Sequence, residues 1–89
     1  MAEIILDLRE MNSAVEVHSC LMKALKFPFY YGKNLDALYD ELTCGSWEEK
    51  LVLLLPVKPM GGMADYLPRL LRVFEDAALE NPNLKFEVR

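Results

Sequence analysis

The sequence predicts a single α/β domain, a three-stranded parallel sheet packed with three to four helices. Segments with the helical period alternate with short apolar runs along the chain. One of these runs, residues 51–55, is uniformly apolar, as expected of a central strand in a parallel sheet covered on both faces. The 89 residues correspond to one domain, spanning 1–89, and 53% of them are hydrophobic, which is typical of a folded chain rather than a disordered one.

The first strand is predicted over residues 3–8, which are rich in isoleucine and leucine. A helix follows from Ser13, because Ser13 and Glu16 have the spacing of a capping box, in which each side chain satisfies a free backbone N–H. One arc of this helix is apolar and is expected to face the core, and Pro28 prevents the helix from continuing. The arc consists of Ala14, Val17, Leu21, Ala24 and Leu25.

An aromatic-rich loop, FPFYYGKN, leads into a second helix. We expect Gly32 in a tight turn of this loop, because glycine is common in turns. Asn34 is a suitable N-cap for a helix over residues 35–43, and Gly45 is a suitable residue to end it.

After the apolar strand, Asp65 is predicted to cap a third, long helix that runs to about Glu80. Pro68 would then fall in the first turn, where its missing N–H does little harm. Residues 84–88 alternate between apolar and polar side chains and are predicted as the last strand. Strands separated by helices require crossover connections, and these make the sheet parallel.

The net charge of −4 is concentrated in one part of the chain. Residues 30–49 contain one base and five acids, whereas the other nine bases and nine acids cancel. Such a segment repels nucleic acid and attracts basic proteins. The base is Lys33, and the acids are Asp36, Asp40, Glu41, Glu48 and Glu49.

The second helix has a core face and a polar face. Leu35, Leu38 and Leu42 form its apolar stripe, and Asp36, Asp40 and Thr43 share the outward face at spacings i, i+4 and i+7. Tyr39 lies between the two faces. A solvated acidic face is one interpretation. A protein interface is the other, favoured if Tyr30 and Tyr31 are exposed anchors rather than packed under the loop.

The sequence predicts a cytoplasmic protein that is not an enzyme. The N-terminal segment carries acids where a signal peptide has bases, and no apolar run reaches membrane-spanning length. Cys20 and Cys44 are therefore expected as free thiols. The single histidine, His18, is expected to be structural and partly buried, and no catalytic residue, metal site or cofactor is predicted.

The block YYGKNLDALYDELT, residues 30–43, resembles the signature of the barstar family. That signature is paired tyrosines, Gly, a free position, Asn-Leu-Asp-Ala-Leu, an aromatic residue, Asp and Leu-Thr. His18 and the pair Val73-Phe74 also fall where the family has equivalents, so the resemblance covers essentially the whole chain. It implies an antitoxin-like immunity protein that is monomeric when free. In a one-to-one complex it would block the active site of a basic, secreted, barnase-like ribonuclease, with no nucleic acid, membrane or cofactor involved.

The resemblance also implies which residues touch the nuclease. Asp40 would be the main phosphate mimic, Asp36 would pair with a second base, and Asp76 takes the place of a family glutamate on the third helix. The full set is Tyr30, Asn34, Leu35, Asp36, Tyr39, Asp40, Thr43 and Asp76.

Some positions depart from the family pattern. Tyr39 stands where the family has tryptophan, and Arg69 and Arg72 share the helical sector of Asp76 and Glu80. Two such bases would neutralise the acids of the third helix and change the partner. The alternative is therefore an interaction domain of the same fold that binds a different basic protein without inhibiting a nuclease.

Overall fold

The computed structural model describes residues 2–59 and 61–89. Its elements follow the predicted order, and the strands form one parallel sheet with β2 between β1 and β3. This confirms the α/β fold class, with three helices in the described ranges. The elements are β1 (Glu3–Asp7), α1 (Ala14–Leu25), α2 (Leu35–Cys44), β2 (Lys50–Leu54), α3 (Gly62–Glu80) and β3 (Phe86–Val88).

The central strand β2 is buried on both faces, as its uniform apolarity predicts. Leu51, Val52 and Leu53 have no exposed surface. The edge strand β1 alternates instead: Leu6 is fully buried in the core, whereas Ile5 is 48% exposed. One face of the sheet therefore carries the helices, and the other is partly open to solvent at β1.

Ion pairs between strands line the second face of the sheet. Lys50 of β2 pairs with Glu87 of β3, and Arg89 pairs with Glu87 and, at 3.2 Å, with Glu3 of β1. Hydrogen bonds from Arg89 and Lys50 lower the pKa of the Glu87 carboxyl to about 2. The network joins residues of all three strands across this face of the sheet.

Helix α1 begins as the capping box predicts. The Ser13 hydroxyl accepts a hydrogen bond from the Glu16 N–H at 3.3 Å, and the Glu16 carboxylate accepts one from the Ser13 N–H at 3.1 Å. The helix ends at Leu25, followed by Lys26 in the left-handed conformation with φ 58°. The chain thus leaves the helix shortly before Pro28.

The predicted start of α3 is wrong by one turn. The helix begins at Gly62, after Gly61 with φ 59°, and has no side-chain cap. Asp65 lies inside the first turn, where the helix dipole favours negative charge, so its position carries the same sequence signal as a cap. Pro68 consequently lies in the second turn, inside the helix, and removes one backbone donor there.

The last strand is shorter than predicted, because its first residues complete the preceding turn. The Leu84 N–H donates to the Asn81 carbonyl at 3.0 Å, and the Leu84 side chain is buried in the core. Within residues 2–59 and 61–89, no helix combines the length and apolarity that crossing a membrane requires.

Candidate protein-binding surface on the second helix

Helix α2 is held by its predicted cap and by its apolar stripe. The Asn34 side-chain oxygen accepts a hydrogen bond from the Ala37 N–H at 2.7 Å. Leu38 and Leu42 are fully buried and α2 packs against α3, whereas Leu35 is only half-buried. The stripe therefore fixes which side of the helix faces solvent.

The two aspartates of α2 point outward. Asp36 and Asp40 are exposed, and neither forms an ion pair within the described ranges. Thr43 is half-buried, and its hydroxyl donates within the helix to the carbonyls of Tyr39 at 2.9 Å and Asp40 at 3.1 Å. The carboxylates are thus available to a partner, while the proton of the threonine hydroxyl is already used.

Acids from two helices surround Tyr39. Burial raises the pKa of the Tyr39 hydroxyl, and the nearby carboxylates of Glu80, Asp76 and Asp40 raise it further. The structure thus brings Asp76 of α3 near Tyr39 of α2. It also adds Glu80, which is not among the residues that the resemblance implies for the interface, because its closeness to Tyr39 depends on how α2 packs against α3.

The expected neutralisation of the third-helix acids occurs at only one of the two arginines. The Arg72 Nε atom lies 3.5 Å from the Asp76 carboxylate, an exposed i, i+4 pair. Arg69 has no ion pair in the described part of the chain; its guanidinium lies 5.9 Å from the centre of the Tyr66 ring. Arg72 therefore weakens the charge of Asp76, and Arg69 retains its own.

The loop before α2 separates its two tyrosines. Tyr30 is 75% exposed and forms an edge-to-face pair with the exposed Phe29, whereas Tyr31 is buried. The Tyr31 N–H donates to the Pro28 carbonyl at 2.9 Å, so the turn lies at Phe29 and Tyr30. The expectation of a turn at Gly32 is wrong. Tyr31 and the buried Phe27, whose rings pack against each other, anchor the loop, and Phe29 and Tyr30 face solvent.

A buried histidine contacts the hydroxyl group of Tyr31. The Nδ1 atom of His18 lies 2.7 Å from the Tyr31 hydroxyl, and its Nε2 atom bonds the Tyr66 hydroxyl of α3. Burial lowers the pKa of His18 and raises that of Tyr31. His18 is fully buried rather than partly buried as expected, and both of its ring nitrogens form hydrogen bonds within the fold. Its partner Tyr66 was not predicted, because 48 residues separate the two.

A cleft of about 450 Å³ lies between the start of α2 and the first half of α3. Asn34, Leu35 and Asp36 form one side, and Tyr66 and Arg69 come from α3. Lys33, which has a left-handed backbone with φ 52°, and Ala14 complete the lining. The cleft therefore holds an acid and two bases that are not paired with one another within the described residues.

Asn81 and Trp47 fix the other end of α2. The Asn81 amide donates to the carbonyls of Leu42 at 3.1 Å and Gly45 at 2.9 Å, and the Trp47 indole N–H donates to Leu42 at 2.8 Å. A Cβ atom on Gly45 would lie 2.7 Å from the indole ring, so only glycine permits this approach. The Leu42 carbonyl near the end of the helix, and the Gly45 carbonyl that follows it, are thereby satisfied.

Comparison with protein families identifies the family of the chain. The family model described as Barstar (barnase inhibitor) matches residues 1–89. The chain belongs to the barstar family. A protein of Bacillus subtilis (strain 168) named "Putative ribonuclease inhibitor YrdF" is 49% identical over 43 residues, which are 48% of this chain and 47% of that protein. The match thus spans about half the length of this curated relative.

In this barstar-family chain the residues implied for the interface lie on neighbouring surfaces. They come from the loop before α2, from α2 itself and, for Asp76, from the adjacent α3. Whether they contact a partner stays a prediction. Within residues 2–59 and 61–89 no cluster of three or more His, Cys, Asp or Glu side chains could hold a metal ion, and both cysteines are free thiols.

Proposed function

We propose that the protein inhibits a basic, barnase-like ribonuclease in a one-to-one complex by covering the active site of the enzyme with α2 and the preceding loop. The complex would form in the cytoplasm of the cell that makes the nuclease, without cofactors, and the inhibitor itself would perform no catalysis. The observation that carries the proposal is the pair of exposed, unpaired aspartates on α2, Asp36 and Asp40, in a chain of the barstar family.

Carboxylates suit this task because ribonuclease active sites bind phosphate. A pocket that binds phosphate presents bases, and a carboxylate can accept the same charge-assisted hydrogen bonds. Asp40 is proposed to enter that pocket, with Asp36 binding a second base. The exposed ring of Tyr30 would provide apolar contact area at the edge of the acidic face, and Tyr39 would pack beside Asp76.

The test is a titration of ribonuclease activity. Purified guanine-preferring, barnase-like ribonucleases are mixed with increasing amounts of the protein, and RNA cleavage is followed. We expect complete inhibition of at least one enzyme with an end point near one inhibitor per enzyme, and loss of inhibition with Asp40→Ala. Undiminished cleavage by every enzyme at large excess of the wild-type protein would refute the proposal.

A second candidate is an interaction domain for a different basic protein. The ion pair between Arg72 and Asp76 favours it, because it partly neutralises an acid that the family uses towards the nuclease. Affinity capture from the source organism, compared with capture by Asp40→Ala, separates the two. A small basic nuclease that is lost with the variant supports inhibition, whereas another basic protein lost in the same way supports the second candidate.

A further inference from the structure

We propose that the cleft between α2 and α3 determines partner specificity by receiving a carboxylate of the nuclease at Arg69, beside the base that pairs with Asp36. This inference rests on the proposed function, since it concerns the same interface. It differs from that function in chemistry, because it requires an acidic group on a partner that is otherwise basic.

The first argument is the charge of the cleft. Asp36 on one side and Arg69 on the other line the same cleft of about 450 Å³, without forming an ion pair with each other. A partner that presents only bases to this cleft would pair with Asp36 but would also bring a positive charge next to Arg69. Like charges that meet in an interface are strongly unfavourable and reject wrong partners.

The second argument is that the Arg69 side chain is already positioned before a partner binds, although it pairs with no acid in the described residues. Its guanidinium lies over the ring of Tyr66, and the Tyr66 hydroxyl is fixed by the buried His18. Stacking on an aromatic ring restricts the long side chain before binding, which reduces the entropy lost when a partner arrives. Arg72, one turn further on, already uses its charge on Asp76.

The third argument concerns Lys33. It lines the cleft with φ 52°, a left-handed conformation that favours glycine or asparagine. Lys33 thus occupies a position where glycine or asparagine would be less strained. Strain of this kind is often found at functional sites. A second positive charge here strengthens the attraction of the cleft for a carboxylate.

The cleft also adjoins the surface proposed to bind the nuclease. Asn34, Leu35 and Asp36 belong to both, so a nuclease seated on α2 would cover the cleft. Covering the cleft removes water from Arg69. Because an unpaired charge in a dry interface is costly, tight binding then requires an acidic group of the partner at Arg69. Partners with a carboxylate at this point would be accepted, and basic nucleases without one would be rejected.

The experiment uses the nuclease that the wild-type protein inhibits most strongly in the panel described above. Dissociation constants are measured for Arg69→Ala, Arg69→Glu and Arg69→Lys, with Arg72→Ala as the matched control on the same helix. We expect Arg69→Ala to weaken binding about 10- to 100-fold, the effect of one charge-assisted hydrogen bond. Arg69→Glu should weaken it further, Arg69→Lys should retain most of it, and Arg72→Ala should bind as well as the wild type or more tightly.

Charge swapping then identifies the carboxylate. Acidic residues around the active site of the nuclease are replaced singly by lysine and tested against Arg69→Glu, and one of them should restore binding. If Arg69→Glu binds as tightly as the wild type or more tightly, while Asp40→Ala has lost binding, the inference is wrong and the proposed function stands. If the wild-type protein inhibits no nuclease of the panel, the proposed function fails and the inference falls with it.

Discussion

Substituting Asp40 should distinguish a role in binding from a role in stability. It is exposed on the side of α2 opposite the buried Leu38 and Leu42, and Asp36 lies one turn earlier with the same charge. Folding therefore gains little from it. Asp40→Ala should change the free energy of unfolding by no more than about 0.5 kcal/mol, as is usual for surface positions.

In the proposed nuclease complex the same substitution should weaken binding by about 2–5 kcal/mol or more, a range that is itself informed by the barnase–barstar complex. The reason is that buried bases of the nuclease lose their counter-charge, so Asp40→Asn should lose most of the same energy. Thermal melting and a binding titration are made on each variant, with Glu10→Ala, another exposed acid, as the control. A lower melting temperature with normal binding would show that Asp40 is structural.

Asn81 has the opposite character, because its side chain serves the fold. It is 7% exposed, and its amide bonds the carbonyls of Leu42 and Gly45 at the end of α2. Asn81→Ala would leave the part-buried Gly45 carbonyl without its donor and the Leu42 carbonyl with Trp47 alone, so we expect a loss of about 1–3 kcal/mol in the free energy of unfolding. Chemical denaturation measures this loss.

The control for Asn81 is Asn83, since it is exposed and contributes its backbone N–H rather than its side chain to the turn. Asn83→Ala should stay within about 0.5 kcal/mol of the wild type. Equal losses for the two variants would contradict the role assigned to the Asn81 amide.

Among the helices, α1 and α2 could be predicted closely because their signals are local. Ser13 and Glu16, or Asn34 and Ala37, lie within one turn, so the sequence spacing is enough to identify the cap. The acidic face of α2 follows from the helical period in the same way. The start of helix α3 is predicted less accurately, because Gly61 and Gly62 carry no capping side chain and Asp65 has the sequence signal of a cap.

Contacts between distant segments could not be predicted. The contact of Tyr66 with His18 and that of Asn81 with Leu42 join residues far apart in sequence, and no local pattern encodes them. The loop has no periodicity that would tell Tyr30 from Tyr31. Long-range pairing therefore decided which tyrosine is exposed and which charges share the cleft.

The buried contact of α1 with the loop and α3 should respond to pH. Burial lowers the pKa of His18 below its ordinary value of about 6.5, so the fold favours the neutral ring. The contribution of His18 to stability should be complete above pH 6.5 and decline as the pH falls below it, towards the lowered pKa of the folded protein, because the unfolded chain takes up a proton more readily.

His18→Gln tests this pH dependence, because glutamine can donate and accept hydrogen bonds but does not titrate. Denaturation curves between pH 5 and 7.5 should show the wild-type protein losing stability towards acid. The variant should be less stable at neutral pH and show a smaller dependence on pH. The tyrosines bonded to His18 titrate far above this window, since their pKa values are raised. Parallel curves for the two proteins would disprove the assignment to His18.

Over the whole molecule, the charges that stabilise the sheet and the charges that are free to bind a partner lie in different places. Ion pairs join the strands at Lys50, Glu87, Arg89 and Glu3, whereas the exposed aspartates of α2 have no such partners in the described residues. The net charge of −4 is carried by residues 30–49, the segment that contains α2. A basic partner is therefore attracted towards one side of the protein rather than to its surface in general.

This asymmetry predicts a salt-dependent association rate that depends on where a charge lies. Charges on the two proteins are screened beyond about 10 Å at 0.1 M salt, so the association rate with the inhibited nuclease should fall as salt rises. Asp36→Asn and Glu10→Gln change the net charge equally, but the first removes a charge from the attracting face. Stopped-flow mixing across salt concentrations should show a larger loss of rate for Asp36→Asn at low salt, and the two variants should converge at high salt. Equal effects of the two variants would mean that only the total charge matters, and a rate independent of salt would exclude electrostatic steering altogether.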